Sequence, residues 1–455
     1  MQRVDIYKLA DEASFNRFHF KVLVWCLLII VVDGYDLTVT GIALPSIMEQ
    51  MGVSASTAGF MASSALFGMM FGSMILGGLS DKIGRRWTIS ICVFLFSVFT
   101  VGAGFSSDPL TFGELRFLAG LGIGGVVPII IAQMTEYSPK KIRSFATTVM
   151  YSGYAIGAIV AALLGKLLIA NHGWQAVFIA AAAPILLIPF VLDSMPESLP
   201  YLIAKRDAVR LRAIACGLQP GIQLDRRIEF TAPAQDRTGV VPVVRLFQDG
   251  RGVSTVMFWI AIFTGLFMVH ALSTWLTKLM AMSGYSLGSA LSFVIAMNVG
   301  AMVGAIGGGW LADKLHIKWV LVAMCALGGV FLCMMTVKTS TELLYLVIGA
   351  VGACTVGSQI LAYVYCGQFY PPAIRSTGIG MAVGVGRSGA ILAPPLIGQI
   401  VALKLPLEQD FLVIASTGII AALALAFTGR QNSSTDQGNM NRKSDADAGR
   451  PEASF

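Results

Sequence analysis

Charge is what this chain of 455 residues has least of: Asp, Glu, Lys and Arg together make up 13% of it, against 56% hydrophobic residues. That balance excludes a solvated globular surface, and the net charge of +7 is too thinly spread to call for nucleic acid. Histidine is scarce as well. His19, His172, His270 and His316 stand far apart and form no zinc-binding spacing, so no metal centre is expected. Six of the seven cysteines (Cys26, Cys92, Cys325, Cys333, Cys354 and Cys366) fall inside apolar runs, and Cys216 lies in a polar stretch, which excludes a disulfide framework. No nucleophile, metal or nucleotide constellation is present either, so neither an enzyme nor a cofactor is expected.

Long apolar runs fill the space that charge leaves. They cover 22–45, 57–79, 87–106, 110–134, 145–169, 174–192, 252–276, 286–311, 317–337, 342–365, 376–400 and 408–428, each near the ~20 residues that cross a bilayer. The pattern predicts an all-α polytopic membrane protein with twelve transmembrane helices. Polar residues precede the first run and many more runs follow it, so it reads as a true span and not a cleaved signal. An even number of spans puts both termini on one side. Lys82, Arg85, Arg86, Lys140, Lys141, Arg143 and the cluster from Lys205 to Arg251 share that side, against Lys166, Lys278, Lys338 and Lys404 on the other. The positive-inside rule makes it cytoplasmic.

An internal repeat organises the runs. Gly77-Gly78-Leu79-Ser80-Asp81-Lys82 returns as Gly309-Trp310-Leu311-Ala312-Asp313-Lys314, and Pro139, Ile142, Arg143 and Ser144 return as Pro371, Ile374, Arg375 and Ser376, both at an offset of 232 residues. Two parallel-related six-helix halves follow. The expected division is a cytoplasmic N-terminus over 1–21, bundles over 22–192 and 251–429, a cytoplasmic linker over 193–250, and a disordered cytoplasmic tail over 430–455, rich in Ser, Asn, Asp and Gly.

The few charges inside the runs are therefore candidates for function. Asp33 and Asp36 sit in the middle of the first run, where each Asp costs about 2.5–3.5 kcal/mol on insertion scales. Three residues apart, they share one helix face. A carboxylate held away from water resists ionisation, and two neighbours resist it more, which makes either Asp a candidate proton carrier. The alternative is an Asp that ties the helix to a neighbouring Arg or Tyr. Arg116 and Arg387 are the cations within the spans. Arg387, among Gly384, Gly386 and Gly389, has room beside it and a planar fork suited to a carboxylate, so it is the first candidate for a substrate anion. A structural ion pair with the other half is its alternative. Tyr35, Phe67, Tyr151, Tyr154, Trp275, Asn298, Gln359 and Tyr363 are candidate walls for a flat ligand, the polar ones Asn298, Gln359 and Tyr363 foremost.

Gly77-x-Leu79-Ser80-Asp81-Lys82-x-Gly84-Arg85-Arg86 resembles the loop signature of the major facilitator superfamily, Arg116-x-x-x-Gly120-x-Gly122 its fourth-helix motif, and Gly173-Trp174 and Pro196-Glu197-Ser198 are further family-like marks. Asp33-Gly34-Tyr35-Asp36 is similar to the first-helix signature of the aromatic acid:proton symporters, and its flanks, from Phe15 to His19 and from Gly41 to Met48, look most like the benzoate permease branch. The resemblance implies a monomeric transporter of the bacterial inner membrane, whose partners are the lipid bilayer, a proton and a small aromatic carboxylate such as benzoate or a hydroxybenzoate. It implies that Arg116 supports the proton site at Asp33 or Asp36. It also implies a gating network of Asp81, Arg85, Arg86, Glu136 and Arg143 that holds the outward-open state and breaks on inward opening. The second copy, at Asp313, is weaker because His316 and Ile317 replace the glycine and first arginine. Ser152 to Ala158 lacks the glycine-proline motif of proton antiporters, which disfavours export. An exporter of aromatic acids or drugs, and a receptor for aromatic acids, are the alternatives to an importer.

Overall fold

The computed structural model describes residues 2–222, 228–231, 244–248, 250–336, 340–370, 375–404 and 406–429. Twelve long helices cross the expected bilayer: α1 (Arg17–Met51), α2 (Ala55–Ile83), α3 (Arg85–Gly104), α4 (Pro109–Tyr137), α5 (Arg143–His172), α6 (Gln175–Ser194), α7 (Gly252–Met282), α8 (Leu287–Lys314), α9 (Ile317–Met334), α10 (Thr341–Phe369), α11 (Arg375–Ala402) and α12 (Leu407–Ala426). The sixth is not the uninterrupted span read from its sequence. It runs helical over Gln175–Ala180, tightens to a 3-10 turn at Ala183–Leu187 and resumes over Ile188–Ser194, because Pro184 and Pro189 remove backbone donors. Among the described residues the one strand pairing is parallel, joining Gln2–Asp5 to Ile228–Thr231. The expected tail over 430–455 and most of 223–243 lie outside the described residues.

The repeat seen in sequence extends to how helices start and pack. Side-chain oxygens of Ser54, Asp108, Ser286 and Ser340 cap α2, α4, α8 and α10 by accepting from Thr57, Thr111, Ser289 and Leu343 amides. Ser54 and Ser286 are 232 residues apart, as are Asp108 and Ser340. Hydrogen bonds from Thr111 hold the Asp108 carboxyl below the usual range. Helices α2 and α4 approach until a side chain on Gly68 or Gly72 would meet the carbonyls of Phe117 and Leu121 at 2.1 Å. Gly300 and Gly304 of α8 do the same to Gly349 and Ala353 of α10, at 1.9 and 2.3 Å, again 232 residues on. Where lipid tails remove the hydrophobic drive between helices, such close backbone approach supplies the packing. The faces turned away from these seams carry exposed Phe94, Leu163, Val303, Ile306, Leu346 and Leu423, as a lipid-facing surface requires.

The halves meet mainly through α1 with α7, α2 with α11 and α5 with α8. Their closest backbone approaches all lie toward the face opposite the termini. A side chain on Gly41 would stand 2.0 Å from the Ser273 carbonyl, one on Gly59 2.5 Å from that of Pro394, and one on Gly398 2.5 Å from that of Ala55. Trp275 is wholly buried there and donates to the Pro394 carbonyl at 2.9 Å. The molecule is shut on that face.

The glycine seams predict a sharp contrast. Gly300→Val should lower the thermal unfolding temperature of the purified protein, the overpacking costing about 1–3 kcal/mol. Gly307→Val, with no neighbour within 4 Å of its position, should leave it unchanged. Equal melting of the two variants in detergent would contradict the seam.

Candidate functional site

The two aspartates of α1 have different surroundings. Gly34 between them lets α5 cross so closely that a side chain there would meet the Tyr154 carbonyl at 2.3 Å. Asp36 turns into the N-terminal half. Its Oδ2 accepts from Arg116 Nη1 at 3.0 Å and its Oδ1 from the Thr100 hydroxyl at 2.6 Å. Arg116 also donates to Thr100 at 2.8 Å and to the Asp36 carbonyl at 3.1 Å. All three side chains are buried, and the guanidinium lies 5.9 Å from the Phe178 ring centre. Each charge is thus paired and hydrogen-bonded, the condition under which burial is tolerated. Thr100 was not among the sequence candidates, since a hydroxyl in an apolar run carries no signal of its own.

Asp33 has no such partner. It is equally buried, and its Oδ1 makes no hydrogen bond. The charged groups within electrostatic range of it are Asp36 and, from the other half, Arg387. Arg387 sits midway along α11, where Gly386 packs on Ile262 and Leu266 of α7 and Gly389 on the Phe263 carbonyl. Its Nη1 donates to the Met69 carbonyl at 3.0 Å and to the Ser73 hydroxyl at 2.5 Å, both on α2. The arginine read as a substrate anchor is therefore also a bridge between halves. Its Nε and Nη2 make no protein hydrogen bond among the described residues. Around it stand Tyr151 from α5, Tyr363 from α10 and His270 from α7, each within electrostatic range of the guanidinium.

The expected walls divide. Gln359 is buried one turn from Tyr363, with its Oε1 against Gly265 and its Nε2 unpartnered. Both belong to the midplane cluster. Asn298 is spent on its own helix, donating to the Val294 carbonyl at 2.9 Å. Tyr35 is placed elsewhere: its hydroxyl donates to the Val177 carbonyl at 2.6 Å inside the N-terminal half. Trp275 belongs to the closed face, as described above. Phe67 is 45% exposed and packs with Phe71 and Phe117 on the outer surface of α2 and α4. Helical phase explains the misplacements, because a single aromatic in an all-apolar run does not report which way it points. His270 joins the cluster although the sequence offered it no role beyond the absence of a zinc pattern.

The expected gate also differs. Arg85 donates to Gln133 at 3.1 Å and pairs with Glu136, and Arg86 pairs with Glu197 at 3.8 Å and donates to the Leu192 carbonyl at 2.6 Å. Glu197 caps α3 by accepting from the Arg85 amide at 2.5 Å, packed against Gly84, whose φ of 93° leaves it space. These arginine bonds join elements of one half, and they are formed while the face opposite the termini is shut. Of the expected network, the structure joins Arg85 to Glu136. Arg143 instead pairs with Asp11 of the N-terminal segment. Nearby Tyr7 has its hydroxyl pushed up to about 12, by burial first and then by Glu136. The side chains of Asp81 and Asp313 lie outside the described residues.

The sequence and the fold have counterparts among known proteins. The family model for the Major Facilitator Superfamily matches residues 26–394 and again 300–449. The benzoate transport protein of Acinetobacter baylyi is 40% identical, over 93% of this chain and 92% of that one. The gentisate transporter of Corynebacterium glutamicum is 32% identical over 87% and 84%, and the 4-hydroxybenzoate transporter PcaK of Pseudomonas aeruginosa 29% over 94% and 95%. Among solved structures, the xylose transporter XylE from E. coli superposes with a TM-score of 0.73 at 17% identity, covering 92% of this chain and 99% of that one. Twelve membrane helices in two repeated halves, a family match over most of the length and relatives that are transporters end to end lead to one assignment: the chain belongs to the Major Facilitator Superfamily and is a multi-pass membrane transport protein.

Proposed function

We propose that this protein is a proton-coupled symporter that imports an aromatic carboxylate, benzoate or a hydroxybenzoate, across the bacterial cytoplasmic membrane by alternating access. The observation that carries the reading is the unequal treatment of the two aspartates. Asp36 is neutralised by Arg116, whereas Asp33 is buried, unpartnered and faced across the interface by Arg387. Asp33 is accordingly the proton carrier, and Asp36 with Arg116 and Thr100 is its rigid support. Relatives named for benzoate, gentisate and 4-hydroxybenzoate support the substrate class.

Charge counting gives the coupling. Empty, the midplane holds one carboxylate and one guanidinium, which balance. A monocarboxylate arriving at the free edge of Arg387 adds a negative charge that the low-dielectric interior penalises. A proton on Asp33 removes it, so the loaded site crosses the membrane neutral and one proton accompanies one substrate. The halves rock about this site. The face bearing the termini and most of the loop Lys and Arg is cytoplasmic, so the closed face is the outer one. Protonation occurs at the more acidic outer side and release at the more alkaline cytoplasmic side. The proton gradient supplies the drive, with no cofactor.

In proteoliposomes, Asp33→Asn should abolish accumulation driven by a pH gradient while exchange of labelled for unlabelled substrate persists; full gradient-driven uptake by this variant would sink the assignment. Arg387→Lys keeps the charge but loses the fork, so the KM for benzoate uptake should rise at least about tenfold, matching the 1.4 kcal/mol or more expected of a charge-assisted bond. Asp36→Asn strands Arg116 in the core, and the loss of thermal stability should reach about 3–5 kcal/mol. The double variant Asp36→Asn with Arg116→Gln should recover part of it, and a double variant no more stable than the single one would refute the pairing role.

A further inference from the structure

We propose that His270 is a specificity-determining residue: at the closed end of the midplane cluster its imidazole hydrogen-bonds a ring hydroxyl of the aromatic acid. The proposal rests on the symporter reading and adds to it the end of the site that selects among aromatic acids.

Its position comes from the contacts of α7. Ile262, Phe263 and Leu266 pack on the glycines that flank Arg387 in α11, and Gly265 faces Gln359. Further along the same helix, the backbone of Ser273 and Thr274 lies against Gly41 of α1, where the halves close. His270 falls between these two contacts. A ligand whose carboxylate sits on Arg387 and whose ring extends toward the closed face therefore ends at this side chain.

Its surroundings point the same way. Met268, Val269, Ala271 and Leu272 are 0–8% exposed, yet His270 among them is only half-buried. Its ring nitrogens have no hydrogen-bond partner among the described residues. An imidazole in the middle of a membrane span with open space beside it and no partner is costly unless a ligand supplies one. Neutral imidazole offers one donor and one acceptor, which matches a phenol hydroxyl. The buried Nε2 of Gln359, also unpartnered, provides a second donor in the same cluster. A hydroxylated ring gains a bond at this end that benzoate lacks.

The test is inhibition of labelled benzoate uptake in proteoliposomes by 3- and 4-hydroxybenzoate, for the wild type, His270→Leu and His270→Asn. The expected result is that at least one hydroxybenzoate competes in the wild type and that His270→Leu weakens its inhibition about tenfold or more relative to inhibition by unlabelled benzoate. His270→Asn, which keeps a donor and an acceptor, restores inhibition at least in part. Thermal unfolding of the purified variants in detergent at the wild-type temperature certifies that they are folded. Parallel losses for benzoate and hydroxybenzoates, an unchanged inhibition profile, no competition in the wild type, or failure of either variant to insert and take up benzoate would each overturn the proposal. In the first three cases benzoate transport by the wild type leaves the symporter reading standing, whereas a wild type that moves neither class would remove both.

Discussion

A charge placed in hydrocarbon has to be answered by another group, and the arrangement at the centre of this protein follows from how each is answered. Asp36, Arg116 and Thr100 bond one another inside the N-terminal half. That set ties α1, α3 and α4 together and leaves Asp33, one turn back, with its Oδ1 unbonded. On the proposed reading, Asp33 is the group that carries the proton.

Arg387 answers its charge across the interface. Its bonds to Met69 and Ser73 join α11 to α2 at the level where Asp33 and the midplane tyrosines gather. The same guanidinium that ties the halves together through Nη1 leaves its other edge free for the anion proposed to bind there. The glycine contacts beyond this level, at Gly41, Gly59 and Gly398, allow backbone of one half to lie on backbone of the other. Within each half, Gly68 and Gly72 and Gly300 and Gly304 bring neighbouring helices equally close.

Much of the architecture was legible because a bilayer imposes simple rules. Hydrophobic length located the spans and the 232-residue offset joined the halves; the caps and glycine seams repeat at that same offset. Asp33, Asp36, Arg116 and Arg387 stood out because ionisable groups in such runs are few. Tyr35, Trp275 and Phe67 could not be placed, since α1, α2 and α7 are apolar on every side and helical phase leaves no mark in such a sequence. The break in α6 was foreshadowed by Pro184 and Pro189, but its 3-10 character depends on local packing.

Composition and repeat thus determined by themselves that this is a twelve-span membrane protein with two carboxylates in the first span of one half and an arginine within a span of the other. Only the tertiary structure decided which carboxylate is neutralised, where the bonds of Arg387 go, and that His270 and Gln359 reach the same midplane. The physical reason is that hydrocarbon sets a cost for every buried polar group, which a sequence displays, whereas the partner that offsets the cost comes from a helix tens or hundreds of residues away, and distance in space is set by packing.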